Sequence, residues 1–288
     1  MASGDTHRAQ KQDVERIAAL AGTELDKCVG DNGTNGDQNT KTLLREMANA
    51  AFSGTGDEFA EYVSKNKSRI LDIALSHPEV AEMLVLGYKV GISNDNAACM
   101  NDLGALYYMG DIVEQDYHKA AELYEMAADA GCYQSVVNLG YIYEYGRIGK
   151  PDYNKAYQWY SLAAVLSPSY EATYKLGDMF SRGKAVPHDM KKAYRLYERS
   201  LELASNDVQC AQPALRIAKM LIDPEGPSYD IEPNPLRALA LFQLAEIGLR
   251  IDIADGQAYY AKRLQEAIDG QEEARLLMGA IDAASLSA

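Results

Sequence analysis

Phenylalanine and tryptophan are scarce: 4 Phe and 1 Trp stand against 20 Tyr in 288 residues. A core that could use Phe has little reason to bury hydroxyls, so a Tyr position that recurs is the simplest source of the bias. Cysteine is also sparse. Cys28, Cys99, Cys132 and Cys210 are too far apart for any C-x-x-C pair, which removes zinc-ribbon and thioredoxin-like readings and favours reduced, buried thiols over disulfides. Basic residues are outnumbered, 28 Lys+Arg to 42 Asp+Glu, leaving a net charge of −14. An acidic surface without a Lys/Arg cluster repels phosphate backbones and anionic lipid, so nucleic-acid and membrane-surface binding are disfavoured and a basic protein partner is favoured. No stretch reaches the roughly 18 uninterrupted apolar residues of a membrane span, so no membrane insertion is predicted. The opening MASGDTHRAQKQDVERIAAL lacks the basic-then-apolar order of a secretory signal, so the chain as it stands is expected in the cytoplasm, or exported if a signal has been removed.

Catalytic and cofactor motifs are equally thin. DNGTNGD, from Asp31, has the flavour of a calcium loop, but an EF-hand needs a bidentate Glu at its twelfth position, and that position is Thr42. Gly30, Gly33 and Gly36 have the wrong spacing for a dinucleotide loop, and no GxxxxGK[ST] occurs. His7, His77, His118 and His188 are isolated and read as solvated. There is no G-x-S-x-G elbow. No catalytic, cofactor or metal residue is therefore assigned, and the chain is expected not to be an enzyme.

What is present is a repeat. From Leu103 the chain reads LGALYYMGDIVEQDYHKAAELYEMAADAG, from Leu139 LGYIYEYGRIGKPDYNKAYQWYSLAAVLS, and from Leu176 LGDMFSRGKAVPHDMKKAYRLYERSLELA. The three align without a gap. Gly104, Gly140 and Gly177 are each followed by a second glycine (Gly110, Gly146, Gly183), an Asp (Asp116, Asp152, Asp189), a Lys-Ala pair and a Tyr (Tyr124, Tyr160, Tyr197) at fixed offsets. A degenerate fourth copy has Ile217-Ala218 for Leu-Gly and Asp230 in the Asp position. Four extra residues later it regains phase at Arg237-Ala238, with Phe242 in the Tyr position. Apolar residues recur at three- and four-residue spacing through each Leu-Gly pair, which is a helical period. A glycine inside a helix costs about 1 kcal/mol against alanine, so its repetition implies a helix crossing too close for a side chain. The second glycine predicts a left-handed helix end and the Asp an N-cap for a second helix, whose Tyr would fill the space beside the first glycine. Neither helix can bury its apolar face alone, so neighbouring pairs must stack.

The pattern A-x4-LG-x2-Y-x2-G-x5-D-x2-KA-x3-Y-x2-AA closely resembles the Sel1-like repeat, a relative of the tetratricopeptide repeat. The resemblance is strong over Ala97 to Leu203 and weaker over Asn206 to Leu249. It implies an all-α, right-handed α-solenoid with helix pairs at 97–131, 133–167, 169–205 and 208–249. The expected organisation is a helical N-terminal segment (1–77), the repeat solenoid (78–256) and C-terminal capping helices (257–288). Within these, Asp13 to Val29 and Thr40 to Phe52 read as helices around a loop at Asp31 to Asn39. Asp57 to Ser76 and Pro78 to Ile92 read as the two helices of an eroded first repeat. Gln257 to Ile268 and Glu272 to Ser285 read as two amphipathic helices.

By the same resemblance the first helix of each pair lines a concave groove. Its positions are Asn101, Tyr108, Val137, Tyr141, Glu144, Tyr145, Tyr174, Asp178, Arg182 and Lys219, and all but Val137 and Lys219 are assigned to partner binding. Tyr mixed with Asn, Glu and Arg suits peptide recognition, because Tyr gives contact area at low entropic cost. Sel1-like proteins are typically adaptors, so the expected function is a non-catalytic protein–protein interaction scaffold. One alternative is an acidic sequestering protein, such as an immunity protein or secretion chaperone, for a basic client. Another is β-lactam binding or hydrolysis, as in cysteine-rich relatives, but here only Cys132 and Cys210 share a repeat phase.

Overall fold

The structure, a computed structural model, describes residues 11–22, 35–52 and 56–287. Among the described residues there is no strand. The chain forms two compact units, Met1–Pro151 and Asp152–Ala288.

The first unit contains α1 (residues 11–22), α2 (Asn35–Phe52), α3 (Asp57–Lys65), α4 (Lys67–Ser76), α5 (Pro78–Ile92), α6 (Ala97–Met109), α7 (Tyr117–Asp129) and α8 (Tyr133–Glu144). Its core runs through Ile17, Leu44, Met47, Phe59, Ile70, Met83, Leu84, Tyr88, Cys99 and Leu103. The N-terminal helices thus share one apolar interior with the first repeat helix. The second unit contains α9 (Tyr153–Leu166), α10 (Tyr170–Arg182), α11 (Met190–Leu203), α12 (Asp207–Ile222), α13 (Pro235–Ala254) and α14 (Ala261–Ser287), with short 3₁₀ turns at Gly226–Tyr229 and Ala258–Tyr260. Its core runs through Tyr197, Ala214, Ile217, Leu221, Phe242, Ala245, Leu249 and Ala267.

The repeat grammar works as its chemistry requires. Asp116 accepts from the backbone N–H of His118 and Lys119, Asp152 from that of Lys155, and Asp189 from that of Lys192, capping α7, α9 and α11. Gly110 and Gly183 end α6 and α10 with φ of 79° and 60°, a conformation that costs a side chain dearly. At Gly104 a Cβ would lie 2.9 Å from the ring of Tyr124, and at Gly177 2.5 Å from that of Tyr197, so each aromatic fills its glycine's space. In the fourth copy the cap moves with the four-residue insertion. Asn234, not Asp230, accepts from the Arg237 N–H and opens α13, while Asp230 takes a left-handed φ of 58° and pairs with Lys191 at 2.6 Å.

Three expectations are corrected. The loop expected at Asp31 to Asn39 lies partly outside the described residues, and its described part is already the first turn of α2, where unpaired N–H groups tolerate turn-forming residues. Asp57 to Ser76 is two helices: at Asn66 the backbone N–H and the side-chain amide both donate to the Tyr62 carbonyl, closing α3 before α4 begins. The C-terminal pair is one helix, α14, because Gly270 is a packing glycine and not a terminator. A Cβ there would overlap the ring of Phe242. The end of the helix expected over Asp13 to Val29 lies outside the described residues.

Candidate functional site

In the first unit, Tyr108 stands at the end of α6, Tyr117 opens α7, and Tyr141 and Tyr145 lie one turn apart at the end of α8. The Tyr141 and Tyr145 rings stack at 5.9 Å and 7°, and Tyr108 meets Tyr117 edge to face at 5.3 Å. Arg147, in the loop after α8, lies over three of these rings, 5.1 to 5.6 Å from Tyr117, Tyr108 and Tyr145. Its Nε donates to the Tyr108 hydroxyl oxygen at 3.1 Å. Burial pushes the Tyr108 hydroxyl above its ordinary pKa, against the pull of Arg147, so it stays a neutral O–H. Tyr145 is 47% exposed, while Tyr108 and Tyr141 are half-buried. The result is a fixed aromatic face with a cation at its centre.

Asn101 and Glu144 are placed differently. The Asn101 Oδ1 accepts from Ser135 Oγ at 2.9 Å and from Asn138 Nδ2 at 3.0 Å, tying α6 to α8. Glu144 is buried, as is Val137.

In the second unit, Tyr174 and Asp178 are interior. Asp178 accepts from Arg216 Nε at 2.5 Å and Nη2 at 2.7 Å and from the Tyr197 hydroxyl at 2.8 Å. Burial raises the Asp178 carboxyl, but the charge and hydrogen bonds of Arg216, with Arg182 and Lys175, override it and hold the carboxyl at about 2. The Arg216 guanidinium covers the Tyr174 ring at 4.9 Å. Its Nη1 donates to Gln212 Oε1 at 3.0 Å, an oxygen that also accepts from Arg263. Space that the tetratricopeptide analogy assigns to a groove is thus filled here by side chains of α12. Of the three residues expected in this unit, Arg182 is the exposed one, 3.6 Å from Asp178. Lys219 is exposed and pairs with Glu266 at 2.5 Å.

Sequence reasoning missed Arg147, Tyr117 and Arg216. A signal for the first two exists. Arg147 and Lys184 each fall seven residues after the Leu-Gly glycine, while Tyr117 and Tyr153 each follow the cap Asp. The second unit repeats the contact, with Lys184 Nζ donating to the Tyr153 hydroxyl oxygen at 3.0 Å and lying 4.1 Å from its ring centre. A cation of one repeat's loop seated on the Tyr that opens the preceding repeat's second helix is therefore part of the pattern.

Among the described residues, Cys99, Cys132 and Cys210 are free thiols, Cys99 being buried. No three His, Cys, Asp or Glu side chains gather as a metal set among them. No helix there is long and apolar enough to cross a membrane.

Helix pairs joined by glycine–aromatic contacts and capped loops define an all-α repeat protein of the helix-pair solenoid class. The model of the Sel1 repeat family matches residues 97–132, 134–164, 171–205 and 225–246, so the chain belongs to the Sel1 repeat proteins. The solved structure of a Sel1 repeat protein from Oxalobacter formigenes aligns with 81% of this chain and 99% of its own at 20% identity, with a TM-score of 0.51. That of c5321, a protective antigen of uropathogenic Escherichia coli with the same repeat fold, aligns with 83% of this chain and 55% of its own at 20% identity and a TM-score of 0.49. No curated protein matches the chain. Sel1 repeat proteins generally serve as non-catalytic protein-interaction scaffolds.

Proposed function

We propose that this protein is an interaction scaffold that seats a segment of a protein partner on the aromatic face of α6 and α8. Tyr108, Tyr141 and Tyr145 make the contact surface, while Asn101 and Glu144 hold its frame. Tyr174 and Asp178 do the same for the second unit, whose exposed edge is Arg182. The observation that carries this reading is the stacked Tyr141–Tyr145 pair, partly exposed beside the Arg147 cluster and outside the repeated core phase. Rigid aromatic area of this kind binds without a large ordering cost.

The test is a photo-crosslinking amino acid placed at Tyr145 or, as a control, at exposed Arg69, in the full-length protein mixed with an extract of its source organism. Adducts from position 145 that mass spectrometry assigns to one or a few proteins are expected, and Tyr141→Ala with Tyr145→Ala should weaken binding by roughly 30-fold, the equivalent of a 2 kcal/mol hot spot. Adducts from position 69 alone, or undiminished binding by the double variant, would refute the site.

The net charge of −14 favours a second reading, an acidic protein that sequesters a basic client. That reading requires one tight partner whose binding weakens steeply between low and high salt. Salt-independent binding would leave the aromatic contacts as the main contribution and remove it.

A further inference from the structure

We propose that the Arg147–tyrosine cluster receives a carboxylate: an acidic side chain or a terminal carboxylate of the partner segment, bound by the Nη1 and Nη2 edge of Arg147 with the Tyr108 hydroxyl donating beside it. The inference rests on the reading that this face seats a partner and names the chemistry it selects there.

The guanidinium carries five N–H donors, and Arg147 spends one of them, at Nε, on the Tyr108 oxygen. The four on Nη1 and Nη2 have no carboxylate among the described residues, in a chain where acids outnumber bases by 42 to 28. Other arginines do find acids: Arg16 pairs with Glu82, Arg237 with Glu198 and Arg250 with Glu246. What holds Arg147 in place is instead three tyrosine rings and a hydroxyl. A guanidinium fixed in this way has already lost its rotamer freedom, and its planar fork matches a carboxylate with two parallel hydrogen bonds. Tyr108 accepts from Arg147, so its own proton is left to donate, and burial keeps that proton on the oxygen. The phase-mate Lys184 in the second unit is also held by a tyrosine and has no acid among the described residues, so an acid-free cation on Tyr recurs with the repeat. An acidic protein that presents one oriented arginine on an aromatic face discriminates: the surrounding charge repels acidic segments in general, and the fork rewards one placed at this point.

The test follows the Arg147 Nε–H resonance, assigned by its loss in Arg147→Lys, during titration of the full-length protein. The probes are the peptide Ac-GYEYG-NH2, its amide counterpart Ac-GYQYG-NH2, Ac-GYGY with a free C-terminal carboxylate, and inorganic phosphate. Saturable shifts with the carboxylate peptides are expected, with the amide peptide about tenfold weaker, the worth of a hydrogen bond to a charged group. The tighter of the two carboxylate peptides identifies whether the source is a side chain or a chain end. Arg147→Gln, followed by tyrosine resonances, should lose the preference for Glu over Gln. Arg147→Lys, which keeps a cation over the rings, should retain part of it, and Arg195→Gln, at an exposed arginine outside the cluster, all of it. Equal binding of the Glu and Gln peptides, an unchanged preference in Arg147→Gln, or tighter binding of phosphate than of either carboxylate would overturn the proposal. If the peptides do not discriminate while Tyr145 still crosslinks a partner, the scaffold reading stands and the carboxylate site falls.

Discussion

Replacing Gly177 by alanine tests the packing logic of the repeat where the geometry is tightest. In most helices this change stabilises, because alanine is favoured over glycine by about 1 kcal/mol. At Gly177 the added Cβ would lie 2.5 Å and 2.8 Å from Cε1 and Cδ1 of Tyr197, about 1 Å inside normal carbon contact. The ring cannot simply swing away. Tyr197 is 3% exposed, and its hydroxyl donates to Asp178 Oδ1 at 2.8 Å and lies 3.1 Å from Ser181 Oγ, while Asp178 is itself gripped by Arg216. Overpacking of this kind costs about 1 to 3 kcal/mol, and loosening a hydrogen bond to a buried charge costs about 1.5 to 3 more. Even after the helix-propensity gain, Gly177→Ala should be destabilised by about 1.5 to 5 kcal/mol, a melting point lower by roughly 3 to 20 °C. The companion Gly279→Ala, in α14 with nothing within 4 Å of its Cβ, should move the other way by up to about 1 kcal/mol. Tyr197→Phe, which frees the ring from Asp178, should reduce the cost of Gly177→Ala, a coupling that a double-mutant cycle measures. Thermal melts of these variants decide it. A Gly177→Ala protein as stable as the parent would mean that the ring relaxes freely, and the account of the repeated spacing between glycine and aromatic would fail.

Acid should unmask Asp178. Its folded pKa is depressed to about 2, so its contribution, about 2 kcal/mol, is present above the unfolded value near 3.9 and is lost as pH falls from there through about 2. Asp178→Asn should cost about 3 to 5 kcal/mol at neutral pH by stranding Arg216, and should flatten the stability profile between about pH 4 and 2; an equally steep acid limb in the variant would refute the assignment. Asn234→Ala should lose about 1 kcal/mol as a removed helix cap, whereas Asp230→Asn, which breaks an exposed ion pair and keeps a residue suited to the left-handed φ of 58°, should change denaturant midpoints very little. The opposite ranking would return the cap to the position the repeat pattern assigns it.

Much of the fold is legible because each repeat writes its constraints in residues with few substitutes. Left-handed ends need Gly110 and Gly183, caps need Asp116, Asp152 and Asp189, and close crossings need Gly104 and Gly177. Where a glycine serves packing without the repeat around it, the reading fails: Gly270 looks like a terminator and is the seat of Phe242. The break at Asn66 is hidden for a related reason, since amphipathic spacing continues across it and only the side-chain bond to Tyr62 ends the helix. The candidate site was partly legible. Tyr108, Tyr141 and Tyr145 come together around one arginine, whereas Arg147 stands in a loop, where only its fixed offset from the Leu-Gly glycine, shared with Lys184, points to it. In the second unit, spacing set Tyr174 and Asp178 on one face of α10 but could not reveal that Arg216, one position before Ile217, would cover them.

The excess of tyrosine over phenylalanine follows from where the ring tips end. Recurrence accounts for the buried Tyr124, Tyr160 and Tyr197, but others lie at helix ends and unit surfaces, where a ring packs while its hydroxyl reaches a polar group. Tyr62 shares its one hydroxyl proton between the Leu43 carbonyl and Glu46, each 3.0 Å away, Tyr153 accepts from Lys184, Tyr194 accepts from Arg237, and Tyr108 accepts from Arg147. Phe59 and Phe242 mark the contrasting case. Each is 1% exposed and presses the end of its ring onto a helix glycine, Gly87 or Gly270, where a hydroxyl would face backbone that has already made its hydrogen bonds. Outside the repeated core phase, these tyrosines are thus placed where an element is tied to a cation or carbonyl, and Phe59 and Phe242 where a ring end meets a helix glycine. By that rule the tyrosines around Arg147 serve first to fix an arginine, and the fixed arginine, with its Nη edge unspent, is what gives the aromatic face a chemical preference.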